Sequence, residues 1–338
     1  MGRMRAHRWA CAVLLCLLLG AHAEDQFVVQ GSPSPSPVPA YAQVTPPPFY
    51  AWLPLAPDGF LPQGETPYVH ADEPGGRWIY IAQDLRVEIN RFSANVRGRN
   101  TVWYISHIHF RGDTAFRSFL ANPEKPGRGR DRPENIATKN QVVYAQNGDL
   151  FTYRIEEKRY PGIVIRNGGI VHSKTYTKRV TGVAPLDELA LFPDGRMEVR
   201  FPGDITAEDY LALGATDVFA FGPILIQDGV RDERLEKAWN SYEPRSAIGL
   251  VAPGHAVGIL VEGRNKRSDG MPLRFVADRL LEQGCVMAYN LDGGQTAAMI
   301  FLGKNVMDPG TYNGFHKTRT QPDIIGIGSY EGLELPTK

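Results

Sequence analysis

The chain has 338 residues, 43% of them hydrophobic, and its 37 basic and 37 acidic residues give a formal net charge of zero. That balance excludes the basic excess of a nucleic-acid-binding surface or of attachment to an anionic membrane, so recognition of any charged ligand has to be local. Two of the three cysteines, Cys11 and Cys16, fall in an N-terminal leader, which leaves Cys285 alone, excludes a disulfide scaffold and makes a hydrophobic core the source of stability.

Arg3, Arg5 and Arg8 precede an apolar run from Ala10 to Gly20, and Ala21-His22-Ala23 has the small-x-small form of a signal-peptidase site. Residues 1–23 therefore read as a signal peptide, and the mature chain is expected to be secreted or periplasmic. No other uncharged run approaches the roughly 18 residues of a bilayer span, so no stable membrane insertion is expected after cleavage. Residues 24–48, which include SPSPSPVPAYAQVTPPP, read as a Pro/Ser-rich linker with too little apolar surface to fold. Residues 49–338 are expected to form a single catalytic domain.

From about Trp78, RWIYIAQDLRVEINRFSAN and TVWYISHIHF alternate apolar and polar residues, the pattern of neighbouring strands in one sheet. Phe116 to Leu120 reads as a short helix or turn, and NPEKPGRGRDRPEN as a solvated polar loop. The strands QVVYAQNG, YPGIVIRNGGIV, LALFPDGRMEVRF, DVFAFGPILIQDGV, AIGLVAP, AVGILVEG, VMAYNL and AAMIFLG follow, with two helices among them. ITAEDYLALG has Thr206 as its N-cap and Gly214 as its stop; MPLRFVADRLLEQG places Leu273, Val276, Ala277, Leu280 and Leu281 on one face and ends at Gly284. Many strands and few helices predict an α+β fold with a largely antiparallel or mixed sheet core and a few packed helices.

The sharpest chemical feature is VMAYNLDGGQTAAMIFLG, in which one apolar strand enters Asn290-Leu291-Asp292-Gly293-Gly294 and another leaves it. This predicts a carboxylate held at the tip of a buried hairpin, beside two glycines whose N–H groups face an anion or a developing oxyanion. An ordinary Asp-Gly hairpin turn has the same signature. Asn147-Gly148-Asp149 after QVVYAQ, and Phe221-Gly222-Pro223 within an apolar run, have a similar character, which suggests that several loops converge on one site. Arg245 and Arg264 stand at strand edges and offer guanidinium forks matched to phosphate or carboxylate. Glu262, two residues before Arg264, can serve as acid, base or that arginine's partner. His107 and His109 form an H-x-H pair of the kind some metal hydrolases use, but no partner ligands accompany them, so the pair reads as sheet packing or solvent-facing, and no metal or cofactor is assigned. Cys285 reads as a small core residue.

Seven segments then occur in a telling order: AQNGDLF, YPGIVIRNGGIV, FAFGPILIQDG, PRSAIG, VEGRNKRSDGM, AYNLDGGQTAAM and RTQPDIIGIG. Together they resemble the phosphodiester glycosidase family over roughly residues 75–330. The family's I-N-G-D-x-F/Y appears as Gln146-Asn147-Gly148-Asp149-Leu150-Phe151, and its P-R-T-A-I-G as Pro244 to Gly249 with Ser246 for threonine. Its D-G-R becomes Glu262-Gly263-Arg264, and in its N-L-D-G-G-G-S the last two residues become Gln295 and Thr296. The resemblance implies an exported hydrolase that cleaves a sugar-1-phosphodiester in a glycan or envelope polymer, with a carbohydrate or glycosyl-phosphate as its substrate. Asp292 would be the principal carboxylate, Glu262 or Asp149 the second, and Arg245 and Arg264 the phosphate-holding groups. Asn147 and Asn290 would orient sugar or carboxylates, and Gly148, Gly222, Gly293 and Gly294 would let backbone approach the ligand. Gln295 and Thr296 would reshape the pocket. A non-catalytic glycan-binding or envelope-scaffold protein and a metal-dependent phosphodiesterase remain as alternatives.

Overall fold

A computed structural model describes residues 51–180, 183–312 and 314–333; the leader and linker read from the sequence lie outside the described residues. Contacts group Leu53–Lys338 as one unit. The long alternating run becomes an antiparallel ribbon of β1 (Tyr68–Asp72), β2 (Arg77–Ile81), β3 (Leu85–Val96) and β4 (Arg99–Phe110). Then come β5 (Arg117–Leu120), α1 (Pro133–Lys139), β6 (Val142–Asn147), α2 (Phe151–Glu156), β7 (Val164–Arg166) and β8 (Gly169–His172). The middle of the chain supplies β9 (Asp187–Leu191), β10 (Met197–Arg200), α3 (Ala207–Ala212), β11 (Asp217–Phe221), β12 (Ile224–Gln227) and β13 (Val230–Arg231). The remainder is β14 (Arg245–Ala252), β15 (His255–Val261), α4 (Leu273–Glu282), β16 (Met287–Asn290), β17 (Met299–Phe301), β18 (Lys304–Asn305), β19 (Thr311–Tyr312), β20 (Phe315–His316) and β21 (Asp323–Ser329).

Among the described residues three large sheets form, nine strands in the order β1-β2-β3-β4-β15-β14-β16-β12-β13, five in the order β10-β9-β11-β7-β8, and five in the order β18-β17-β6-β21-β5, and β19 and β20 pair as a separate two-stranded ribbon. The fold is α+β with an antiparallel core. The main core lies where the sheets face one another, with Tyr104, Ile248 and Tyr289 from the first, Leu189 and Phe219 from the second, and Val143, Tyr144, Met299 and Ile325 from the third. A helix covers each outer face. Leu273, Val276 and Leu280 of α4 pack with Cys285 on the nine-stranded sheet, each fully buried side chain contributing about 1.5–3 kcal/mol. Tyr210 of α3 lies on the second sheet, and Ile136 and Ala137 of α1 on the third.

Both predicted helices form. The Thr206 hydroxyl oxygen accepts a hydrogen bond from the Asp209 N–H, and the Thr206 backbone N–H donates to the Asp209 carboxylate, closing a capping box on α3. Gly214, at φ +90°, stops it. Cys285 is a buried core thiol, pushed up to about 12 by burial.

Three local readings change. The segment ending at Leu120 is strand β5, because it pairs with β21, a partner some two hundred residues away that no local pattern announces. The polar loop ends early, since Pro133 opens α1 from the N1 position. The expected hairpin around Asp292 is a crossover: β16 belongs to the nine-stranded sheet and β17 to the sheet of β6, joined through a 3-10 turn at Gly294–Thr296. Gly222-Pro223, joined by a cis peptide bond, likewise carries the chain from β11 in the second sheet to β12 in the first.

Candidate active site

These crossings meet at one place. Asn290 donates its N–H to the Pro223 carbonyl at 3.2 Å and its Nδ2 to the Gly222 carbonyl at 2.7 Å. Asn147, at the end of β6, donates to the carbonyls of Gly148 at 3.0 Å and Asp292 at 2.7 Å, and accepts from the Ala298 N–H at 3.0 Å. The Asp292 N–H reaches the Gly148 carbonyl at 3.3 Å. Sheet register adds the rest: Arg245 opposite Val261, and Ala247 opposite Asn290, put Arg245 and Glu262 at the same end of their strands as Asn290. The three asparagine and glycine turns that the sequence singled out thus form one structure.

Asp292 is half-buried in this convergence. Its Oδ1 accepts from the Gly293 N–H at 2.8 Å. Burial pushes its pKa up from 3.8 to about 6, against the opposing pull of the Thr296 hydroxyl and of the positive charges on Arg154 and Arg319. Neither arginine was among the residues expected from the turns; Arg319 lies inside the RTQPDIIGIG segment and Arg154 one turn into α2, a helix that the sequence did not announce. The Asn290 Oδ1 is buried and accepts no hydrogen bond from the described residues, an arrangement that suits a ligand hydroxyl.

The other two candidate carboxylates are occupied. Asp149 is fully buried, accepts from the N–H groups of Phe151 at 3.2 Å and Ala220 at 3.0 Å, and pairs with Arg166 at 2.9 Å. Arg166, stacked 3.7 Å from the Phe219 ring centroid, also holds Asp323 at 2.5 Å. Burial works against the Arg166 charge, but Asp323 and Asp149 outweigh it and raise its pKa. Glu262, also fully buried, accepts from Tyr104 Oη at 2.7 Å, the Asp308 N–H at 2.9 Å, Asn265 Nδ2 at 3.2 Å and Arg267. Its arginine partner is Arg267; Arg264 pairs with Glu243 at 2.5 Å.

Arg245 donates from Nε to the Met271 carbonyl at 3.0 Å and from Nη2 to Ser241, and burial pushes its pKa down to about 10, which leaves it charged at neutral pH. The glycines serve close approaches within the protein. A Cβ on Gly148 would stand 2.3 Å from Asp323 Oδ1, and one on Gly293 2.6 Å from the Pro244 carbonyl oxygen. Gly294, at φ +61°, leaves room for the Arg264 guanidinium. The Gly293 N–H is taken by Asp292 and the Gly294 N–H by the Pro244 carbonyl, so these two amides are internal bonds and the expected anion-facing pair does not form. Gln295 and Thr296 form the 3-10 turn beside Asp292; their carbonyls accept from the Arg319 N–H at 2.9 Å and from Gln321 Nε2 at 2.8 Å.

The histidine pair lies elsewhere. His107 contacts His255 at 3.1 Å, and His109 stacks on His255 with ring centroids 4.0 Å apart. His255 opens β15 while Val261 closes it beside the site, about 20 Å away at strand rise. Among the described residues, no group of three or more His, Cys, Asp or Glu side chains is arranged to hold a metal ion, and no helix is long and apolar enough to cross a membrane.

The fold and site define an antiparallel α+β protein with a half-buried carboxylate, acted on by the charges of Arg154 and Arg319, where three sheets meet. A model of the phosphodiester glycosidase family matches residues 140–328, more than half of the chain and every turn of the site, and the chain belongs to that family. The match leaves out β1 to β5, which the resemblance had partly included. A SPbeta prophage-derived uncharacterized protein of Bacillus subtilis (strain 168), YomE, is 32% identical over 178 residues, 52% of this chain but only 26% of YomE. The zebrafish N-acetylglucosamine-1-phosphodiester alpha-N-acetylglucosaminidase catalytic domain, auto-inhibited by its pro-peptide, shares the fold at a TM-score of 0.57 and 19% identity, over 72% of this chain and 83% of that one. A Synechocystis protein superposes at a TM-score of 0.48 and 13% identity, over 79% of this chain and 68% of the other.

Proposed function

We propose that the chain is an exported glycosidase that hydrolyses a sugar-1-phosphodiester, with Asp292 as its working carboxylate. The observation that carries this reading is the contrast in commitment: among the described residues Asp292 enters no ion pair, whereas Asp149 and Glu262 each do. Family membership supports the reaction class, and the name of the zebrafish enzyme that shares the fold points to a sugar-1-phosphodiester. The basic and apolar N-terminus and the Pro/Ser-rich stretch after it support export and a tethered domain from residue 49.

With a pKa of about 6, Asp292 is about nine-tenths ionised at pH 7. Its charge stabilises an oxocarbenium-like anomeric centre, as nucleophile or as base toward water. The bond from the anomeric carbon to the ester oxygen breaks, the phosphate leaves with the electron pair as a monoester, and the water oxygen ends on the sugar. Such a leaving group is a weak base, so neutralising its charge matters more than protonating it. Arg245 and Arg319 supply that charge, and Arg264, its charge shared with Glu243, adds hydrogen-bond donors for the phosphate. Asn290 Oδ1 accepts a sugar hydroxyl, Asn147 holds the Asp292 backbone in place, and Gln295 and Thr296 shape the sugar pocket. Glu262 and Asp149 act on the reaction through the loops they anchor.

Product analysis tests the reading. The protein is incubated in ¹⁸O-water with alkyl diesters of N-acetylglucosamine-1-phosphate, glucose-1-phosphate and galactose-1-phosphate. The expected products are free sugar carrying ¹⁸O and an unlabelled phosphomonoester. Release of sugar-1-phosphate carrying ¹⁸O on phosphorus would instead establish a phosphodiesterase, and glycan binding without turnover would establish the non-catalytic alternative.

A further inference from the structure

We propose that Arg154 is a positioning residue for this reaction: from α2 it ties together three backbone segments next to the Asp292 loop and presents a positive charge to Asp292. The inference rests on the reading of Asp292 as the working carboxylate.

The helix itself gives the first indication. In α2 the expected burial is inverted, with Tyr153 40% and Ile155 41% exposed while Arg154, between them, is only 7% exposed. Arginine is almost never buried without partners, because removing its charge from water is costly unless donors are satisfied. Arg154 Nη1 donates to the Asp149 carbonyl at 2.8 Å, and Nη2 to the carbonyls of Ala220 at 2.6 Å and Pro161 at 3.3 Å. These carbonyls belong to the turn after β6, to the end of β11 and to the segment entering β7. The first two run directly into the groups that hold the site: Gly148, whose carbonyl receives the Asp292 N–H, and Gly222, whose carbonyl receives Asn290. One planar fork therefore fixes the spacing between two sheets at the point where both touch the Asp292 loop, which an ammonium on a flexible stem cannot reproduce.

The second indication is charge. Arg154 pairs with the Asp149 carboxylate only at 3.8 Å, a longer contact than the 2.9 Å one that Asp149 makes with Arg166, and the three carbonyls that it binds carry no formal charge. The groups that face Asp292 are the Thr296 hydroxyl and Gly293 N–H from its own loop, Arg154 from α2 and Arg319 from the segment before β21, and of the two cations Arg154 acts more strongly. Arg264, close to Gly294, is balanced by Glu243.

The test is the pH profile of kcat/KM for Arg154→Met and Arg154→Lys, on a sugar-1-phosphodiester that the wild-type protein turns over, with circular dichroism as the folding control. Loss of the charge in Arg154→Met should move the limb that belongs to Asp292 up by about one pH unit and lower kcat at least about tenfold, with less effect on KM. Arg154→Lys keeps the charge and loses the fork, so its limb should stay in place while kcat still falls. A folded Arg154→Met with the wild-type limb overturns the inference, and should that variant not fold, a folded Arg154→Lys with wild-type kcat overturns it equally. Asp292→Asn separates the levels: if it is inactive while the Arg154 variants behave as wild type, the inference alone fails, and if it is active, the reading of the site fails and the inference with it.

Discussion

Asp149 and Asp292 stand at the ends of strands from different sheets, joined through one hydrogen bond from the Asp292 N–H to the Gly148 carbonyl, yet the protein treats them in opposite ways. Around Asp149 everything is closed: Arg166 bridges it to Asp323, two backbone N–H groups complete it, and no part of it is exposed. Around Asp292 the charges of Arg154 and Arg319 act on a carboxylate that enters no ion pair among the described residues, and burial raises its pKa to about 6. A carboxylate matched by a counter-charge holds a loop in place. One that is desolvated but unmatched stores free energy that a reaction can use.

The sharpest way to break the contrast is Arg166→Met. It would strand Asp149 and Asp323 in the interior, and removing one partner of a buried pair costs about 3–5 kcal/mol, so denaturant unfolding should show a loss of that size or an unfolded chain. A near-neutral result would mean that the ion cluster contributes little. Replacing the matched Asp149 by asparagine should also destabilise, by about 1–3 kcal/mol, since Arg166 would lose one of its two carboxylates.

Asp292→Asn should do the reverse. A carboxylate whose folded pKa is raised from 3.8 to about 6 adds stability below pH 4 that is lost as pH rises through 6. The asparagine variant has no such loss, so at pH 7 it should melt above the wild type, by about 3 kcal/mol and some 6 °C, and approach it near pH 4. Glu188 offers a parallel check. It is fully buried, its Oε1 lacks a partner among the described residues, and burial raises its pKa to about 7 despite the Tyr210 hydroxyl. Thermal stability should therefore fall as pH rises from about 4.5 through 7, and Glu188→Gln should flatten that slope.

The smallest expected effect is Gln295→Gly. It restores the family's glycine next to Asp292 without touching the carboxylate, so the range of accepted sugars should widen and turnover of the best substrate should change only a few-fold. Abolished turnover in a folded variant would make the Gln295 amide part of the chemistry.

The strands were largely legible, because long apolar runs such as VMAYNL and alternating runs such as RVEINRF leave few other conformations that bury their side chains. Their sheet membership was not. β16 and β17 read as a hairpin because both are apolar and close in sequence, and only tertiary pairing with β6 separates them. α3 and α4 were legible from Thr206, Gly214 and Gly284, whereas α2 lacks a side-chain cap and buries its arginine rather than its isoleucine. In the site, glycine and asparagine turns were readable because they carry strong backbone constraints. Arg154 and Arg319 were not singled out, since an arginine's approach to a carboxylate across sheets leaves no periodic trace. Glu262 was read as acid, base or partner of Arg264, and the loop that follows folds back and brings Arg267 to it instead.

Parallel kinetics of Asp292→Asn and Asp149→Asn on one sugar-1-phosphodiester, each with circular dichroism to confirm folding, test the contrast most directly. Asp292→Asn should keep its fold and lose at least about a hundredfold in kcat, the scale expected of a carboxylate acting on the reacting atoms. Asp149→Asn should lose stability first, and where it remains folded should retain most of its turnover. A folded Asp292→Asn with wild-type kcat, or a folded and stable Asp149→Asn without activity, would contradict the assignment of the working carboxylate.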